Sequence, residues 1–299
     1  MPQPLRHAIL GAGGVGGLVG ACLAREGAPV TLVVRAESLS RYPEQLQLES
    51  TFGNFTVPVS RSATVPVVDV LWVTVKATQL EESLGAITAP ALFRAIVPLL
   101  NGIDHLNLLR ARFGGDKVVP ATIAVETERV APGHIVHRSP FARLNVHSSG
   151  KDLLGSTLDS LQKTGFECRF VDDEPTLMWS KVVFLAPLAL STTAAGKPIG
   201  GMLADTTWRR LWESCMRETC AVALAEGAHV DPEKVLAAVL KMPAEMRSSM
   251  QKDVEQGNAP ELDAIAGPIL RGAQRHGIGV PATGELAARV EAMHLADAK

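Results

Sequence analysis

Near the amino terminus, Gly11-Ala12-Gly13-Gly14-Val15-Gly16 has the spacing G-x-G-x-x-G. Alone, the pattern is compatible with a glycine-rich turn that binds nothing. Its setting argues for more, because the apolar run His7–Leu10 precedes it and a helical stretch, Val15–Glu26, follows. In that context the first glycine permits a tight turn and the second lets backbone approach a pyrophosphate. The third lets helix and strand pack closely. The N–H groups and positive dipole end of the helix then offer a phosphate site.

The end of the next strand, Val30–Val34, selects the nucleotide. An enzyme using NAD places an acidic residue there for the ribose 2′-hydroxyl. Here the strand runs into Arg35, whose guanidinium can pair with a 2′-phosphate, so NADPH/NADP is the expected cofactor. Glu37 stays open as the acid of an NAD site, and Arg35 without the glycine turn would read equally as a solvated cation.

Composition narrows the remaining classes. The 299-residue chain suits two domains, and 46% hydrophobic with 20% charged residues provides a sizeable core. A net charge of −2 gives no excess of cations for nucleic acid. The four cysteines, Cys22, Cys168, Cys215 and Cys220, lack Cys-x-x-Cys pairing, and the histidines lack His-Glu-x-x-His spacing, so no metal site is expected. Ser191-Thr192-Thr193 carries no hydrolase triad signature. The stretch Ala8–Ala24 could pass for a signal peptide, but its glycines weaken a membrane-inserting helix, and no other apolar run is expected to reach spanning length. A cytoplasmic protein without membrane or nucleic-acid partners is the expectation, and its long apolar helices are compatible with a homodimer.

These residues need a scaffold. Strands are expected at His7–Leu10, Val30–Val34, Phe55–Val59, Val68–Val75, Ala95–Leu100 and Val118–Ala124, and at the antiparallel-looking Gly133–His137 and Arg143–His147. Helical stretches near Val15–Glu26, Thr78–Ile87 and His105–Arg112 lie between several of them. Such alternation implies a parallel sheet covered on both faces. Beyond Asp173 the pattern turns helical, over Pro175–Ala195, Thr206–Ala228, Asp231–Lys241, Ala259–His276 and Thr283–Ala296. The fold class is therefore α/β: an N-terminal Rossmann-type dinucleotide-binding domain, residues 1–172, followed by an all-α C-terminal domain, residues 173–299.

Several short segments then gain meaning together. Val73-Thr74-Val75-Lys76 and Leu100-Asn101-Gly102 close two strands whose ends should face the cofactor. In the helical half, Trp179-Ser180-Lys181 opens an apolar stretch. Ser248-Ser249-Met250, Glu261-Leu262-Asp263 and His276-Gly277-Ile278-Gly279-Val280-Pro281 follow it. With the glycine turn, this series resembles the ketopantoate reductase family, the NADPH oxidoreductases of pantothenate synthesis, over nearly the whole chain.

The resemblance implies reduction of a small 2-oxo acid to its 2-hydroxy acid. It implies that Lys181 is the catalytic acid and that Glu261 lies beside it. Asn101 and Ser249 would hold substrate, with Asn101 also near cofactor. The cofactor contacts would be Gly11, Ala12, Gly13, Gly14, Val15, Gly16, Arg35, Lys76 and Glu126. Hydride arriving at a ketone leaves charge on oxygen, which a positioned ammonium can stabilise and protonate. A lysine among Trp179 and Val182-Val183-Phe184 is costly to bury without a partner, and Glu261 is the candidate. Read without the family, Lys181 is a snorkelling surface lysine, Glu261 a first-turn helix carboxylate and Asn101 a turn residue.

The chain departs from the family's pattern at three positions. Family members carry asparagines four and eight residues after the lysine, where this sequence has Leu185 and Ala189, and a third near Ile199-Gly200, where it has none. Spacing of four puts Lys181, Leu185 and Ala189 on one helix face, with Pro187 between the last two. Leu185 and Ala189 are therefore expected to form an apolar substrate wall, favouring a 2-oxo acid more apolar than ketopantoate. A non-catalytic NADP-binding sensor is the remaining alternative.

Overall fold

The computed structural model describes residues 3–89 and 92–297; the outermost ends of the expected domains, 1–2 and 298–299, lie outside them. The chain divides into two compact units. One comprises the chain up to Leu100 with His105–Asp172, and the other Asn101–Asp104 with the chain from Asp173 onward.

The first unit is built on a parallel sheet. The apolar run His7–Leu10 forms β1, buried at every position, and the chain returns through α1 (Gly14–Arg25) to β2 (Val30–Val33). Next come β3 (Gln45–Ser50), β4 (Phe55–Pro58), β5 (Ser60–Ser62), β6 (Val70–Val73) and β7 (Ala95–Pro98). Strands β5-β2-β1-β6-β7 form one sheet, parallel throughout. Its central strands are apolar without alternation because both faces are covered. Between β6 and β7 the helix expected over Thr78–Ile87 shrinks to a single turn, α2 (Leu80–Ser83), flanked by tighter turns. Ser83 and Gly85 are poor helix formers.

The rest of this unit holds α3 (His105–Phe113), β8 (Ala121–Ala124), β9 (Thr127–Ala131), β10 (His134–His137), β11 (Arg143–His147), α4 (Lys151–Lys163) and β12 (Glu167–Val171). Two small mixed sheets result, ordered β4-β3-β10-β9 and β12-β11-β8. Both antiparallel-looking strands have an antiparallel neighbour, β10 with β9 and β11 with β8, and each also pairs in parallel, β10 with β3 and β11 with β12. Strand β3, absent from the expected strands, carries a readable alternation, with Leu46 and Leu48 buried and Gln45, Gln47 and Glu49 exposed. Helix α1 is wedged between the parallel sheet and β10, and at Gly17 an added Cβ would fall 2.4 Å from Ile135 Cδ1.

In the second unit, α5 (Glu174–Ala195) is followed by α6 (Ile199–Ala204), α7 (Thr206–Ala225), α8 (Pro232–Val239), α9 (Ser249–Glu255), α10 (Leu262–His276) and α11 (Pro281–Asp297). The helix starts are capped as their sequences require. Asp205 Oδ1 accepts from the N–H groups of Thr207 and Trp208, and Asp231 Oδ1 from those of Glu233 and Lys234. Gly277 ends α10 in the left-handed conformation, φ +64°. The expectation that no second apolar run reaches spanning length fails at α5, which is long and apolar enough to cross a membrane. Most of it is buried against α7, α9, α10 and α11, and this all-round burial explains its lack of a polar face.

One buried contact yields a stability prediction. His7 is 2% exposed, and its Nδ1 accepts a hydrogen bond from Trp72 Nε1 at 3.2 Å. Burial pushes its pKa down from 6.5 to about 4, with Asp69 opposing weakly. Protonation thus favours the unfolded chain, so stability is full above about pH 6.5 and falls as pH drops toward 4. The loss should be about 3 kcal/mol. Urea unfolding at pH 7 and pH 4 should show it, and His7→Asn, which retains an acceptor, should shrink it; equal pH dependence in both proteins would refute the assignment.

Candidate active site

The dinucleotide turn takes its shape from the sheet. In register, Leu10 pairs with Val33 of β2 and Val73 of β6, so all three strands end at one edge. Gly11, Arg35 and Lys76 follow just beyond it. Gly11 has φ +104°, a left-handed conformation that favours glycine. A Cβ on Gly16 would fall 2.3 Å from both the Gly11 carbonyl oxygen and Thr74 Oγ1, so the helix approaches the strands as closely as glycine allows. Thr74 donates its hydroxyl to Gly11 O at 2.7 Å. Its role was not anticipated, although a hydroxyl at the end of a strand beside the turn was a readable signal.

The turn fits a phosphate group. Gly13 is the N-cap of α1, no side chain caps the helix, and its first turn carries no acid. A Cβ at Gly13 would meet no protein atom within 4 Å, leaving the backbone open to a ligand. The N–H groups of a helix's first turn lack intrahelical acceptors and attract anions. Ala12 is buried and Val15 partly buried, packed on the core. Arg35 is exposed immediately before a 3₁₀ turn, Ala36–Arg41, with Glu37 exposed beside it. Glu126 is held by its backbone, its N–H donating to Ser139 Oγ at 2.9 Å. The adjacent Thr127 reaches the glycine turn, donating to Gly14 O at 3.4 Å.

The second cluster lies in the helical unit. Lys181 is half-buried in the second turn of α5, between the buried residues Trp179 and Val182. Burial pushes its pKa down to about 8, and the Glu261 carboxylate opposes that fall. Glu261 is buried at the N-cap of α10, yet its side chain caps no backbone N–H. Instead Glu261 Oε2 accepts a hydrogen bond from Asn101 Nδ2 at 3.0 Å.

Segment 101–104 is pinned to α10 along its length. Gly102 has φ +81°, and a Cβ there would strike the Ala264 carbonyl oxygen at 2.2 Å. Arg271 then bridges Asp104 and Asp263, the latter at 2.7 Å. Asn101, Glu261 and Lys181 are thus brought together from segments remote in sequence.

The remaining expected substrate residues fare differently. Leu185, one turn after Lys181, is half-buried on the core. Ala189 does not form the expected wall. It is 0% exposed and packed inside the helical core, because α5 is enclosed on all sides there. Ser249 is exposed at the start of α9, while Ser248 is the buried cap, bonded to Gln251 N and Thr192 Oγ1 at 3.1 Å each.

A glycine turn open at a helix N-terminus beside a parallel sheet, followed in the chain by a helical unit with a half-buried lysine, is the arrangement a dinucleotide-dependent oxidoreductase needs. The comparisons agree. Residues 7–149 match the family model "Ketopantoate reductase PanE/ApbA", and residues 175–294 match "Ketopantoate reductase PanE/ApbA C terminal". A 2-dehydropantoate 2-reductase of Caulobacter vibrioides is 30% identical over 96% of this chain and 99% of its own. A PanE/ApbA family ketopantoate reductase structure from Ralstonia eutropha superposes with a TM-score of 0.87 at 27% identity, covering 99% of this chain and 100% of that one. D-mandelate dehydrogenase, solved with NADH and anilino(oxo)acetate, shares the fold at a TM-score of 0.86 and 22% identity, covering 99% and 100%. The chain belongs to the ketopantoate reductase family. It is an oxidoreductase acting on a ketone or the corresponding alcohol, with a nicotinamide dinucleotide as cofactor.

The Lys181–Glu261 pair makes a direct prediction. Glu261→Gln removes the charge that supports the ammonium, so the Lys181 pKa should fall below its value of about 8. The pH dependence of Lys181 acylation, followed by mass spectrometry, would read this; an unchanged or raised midpoint would show that Glu261 does not act on the lysine.

Proposed function

We propose that this protein reduces a small 2-oxo acid to the 2-hydroxy acid with NADPH. The observation that carries the proposal is the half-buried Lys181 set beside a carboxylate that Asn101 holds, and a pKa of about 8 leaves that lysine mostly protonated at neutral pH. The first unit carries the cofactor and the helical unit the substrate and the acid. Bound at the glycine turn, NADPH would supply the hydride for the ketone carbon. Lys181 hydrogen-bonds the ketone oxygen, stabilises the charge that develops there and gives it a proton. Glu261 keeps the lysine charged until that transfer, and Asn101 holds Glu261 and the substrate end of the loop. Ser249, exposed at the start of α9, is the further substrate contact, while Lys76 and Glu126 complete the cofactor site. Four buried free cysteines suit the reducing cytoplasm where such an enzyme would work.

The cofactor assignment rests on Arg35, exposed and without an ion-pair partner among the described residues. A 2′-phosphate would give it one. The parent enzyme should prefer NADPH, and Arg35→Ala should raise KM for NADPH while sparing NADH. Equal use of both cofactors by the parent would end this reading. Reduction also needs Lys181 protonated, so kcat/KM should fall as pH rises through about 8. Lys181→Ala should abolish that limb and lower kcat by ~10²-fold or more; near-normal turnover would remove Lys181 from the mechanism.

Ketopantoate is the substrate the family points to, and Leu185 favours a more apolar acid. Leu185 shares its helix face with Lys181 and is partly buried against the helical core, leaving part of its side chain open to a ligand. The fold itself does not impose a substrate hydroxyl, since D-mandelate dehydrogenase has it too. Matching one apolar group is worth ~1–3 kcal/mol, so selectivity should be graded. 2-Oxoisovalerate-like or aryl 2-oxo acids should match or exceed ketopantoate in kcat/KM, and Leu185→Asn should reverse the order. A parent that strongly prefers ketopantoate restores the family substrate.

A further inference from the structure

Beyond the strand that ends at Val33, the chain folds back on the glycine turn through one side chain. Tyr42 is the protein's single tyrosine. Its ring is buried in the core of the first unit, 3% exposed, and its hydroxyl donates to the Ala12 carbonyl at 2.7 Å. Ala12 lies between the first two glycines of the turn. The backbone leading to Tyr42 is a relay of hydrogen bonds that starts at Arg35. Ser38 N donates to Arg35 O at 2.9 Å, and Tyr42 N donates to Ser38 O at 3.1 Å. Arg61 of β5 fastens the far side, donating to Leu39 O and, at 2.6 Å, to Tyr42 O.

We propose that Tyr42 is a positioning residue for cofactor specificity: its hydroxyl ties the loop carrying Arg35 to the pyrophosphate turn and so sets the spacing between the two phosphate subsites. The proposal rests on the NADPH reading above. The physical reason is that a dinucleotide bearing a 2′-phosphate must meet two cationic or N–H-lined sites at one fixed separation. An exposed loop on its own would leave that separation soft. The ring anchors the loop in the core, and the hydroxyl transmits that anchorage to one named atom of the turn. Losing the hydroxyl leaves the loop tethered by the ring and Arg61 but uncoupled from the turn, with a buried carbonyl unsatisfied.

The test is Tyr42→Phe, which deletes one oxygen and keeps the ring. KM for NADPH should rise about five- to ten-fold, with kcat changed less than about two-fold and KM for NADH raised less. In an Arg35→Ala background the NADPH-specific part of the effect should vanish, because the phosphate partner is gone. A purely structural tyrosine would instead lower Tm and affect both cofactors equally in both backgrounds. That outcome, or an unchanged KM for NADPH, overturns the proposal while leaving the NADPH reading intact. A parent enzyme that prefers NADH overturns both.

Discussion

An ammonium group on an apolar helix persists only where a carboxylate stands near it, and much of the helical unit is arranged to supply one. Lys181 lies on a helix buried on nearly every face, and burial drives its proton affinity down. The opposing charge comes from Glu261, at the N-cap of a helix whose N–H groups it leaves uncapped. Asn101 holds that carboxylate, and Asn101 is held in turn by the close approach of Gly102 to Ala264 and by the Asp104–Arg271–Asp263 bridge. Each contact is modest. Together they hold a carboxylate beside a lysine whose pKa burial lowers to about 8, the range that the proposed proton donor needs.

The first unit obeys a different constraint, the distance between a helix and a sheet. Helix α1 can bring its N-terminus to the edge where β1, β2 and β6 end only if it carries no side chains where it touches them. Gly16 faces the Gly11 carbonyl and Thr74, and Gly17 faces Ile135 on the opposite side. The small mixed sheet containing β10 therefore clamps the helix from behind. Through Thr127 the same sheet touches the glycine turn.

Much of this was legible in the chain. The glycine spacing, the strand before it and Arg35 two residues past β2 are local features that can be read without knowing any distant partner. The switch to helical periodicity near residue 173 was likewise visible, as were the Asp205, Asp231 and Gly277 helix ends. Strands β5, β9 and β12 were not, because their mostly polar, half-exposed residues resemble loops, whereas the alternation of Leu46 and Leu48 in β3 was a readable signal. The partners of β10 and β11 were hidden too, since several of them lie far away in sequence.

By itself, the sequence determined the dinucleotide turn, the α/β-then-α order and a lysine that would need a partner in an apolar helix. These follow from spacing, periodicity and the cost of burying charge. Only the tertiary structure decided that Asn101 joins the helical unit, that its amide binds Glu261, and that Ala189 disappears into the core while Leu185 stays half-buried. Helical spacing assigns residues to a face, but it does not say which neighbours cover that face. That depends on how α5 is enclosed by helices up to a hundred residues away.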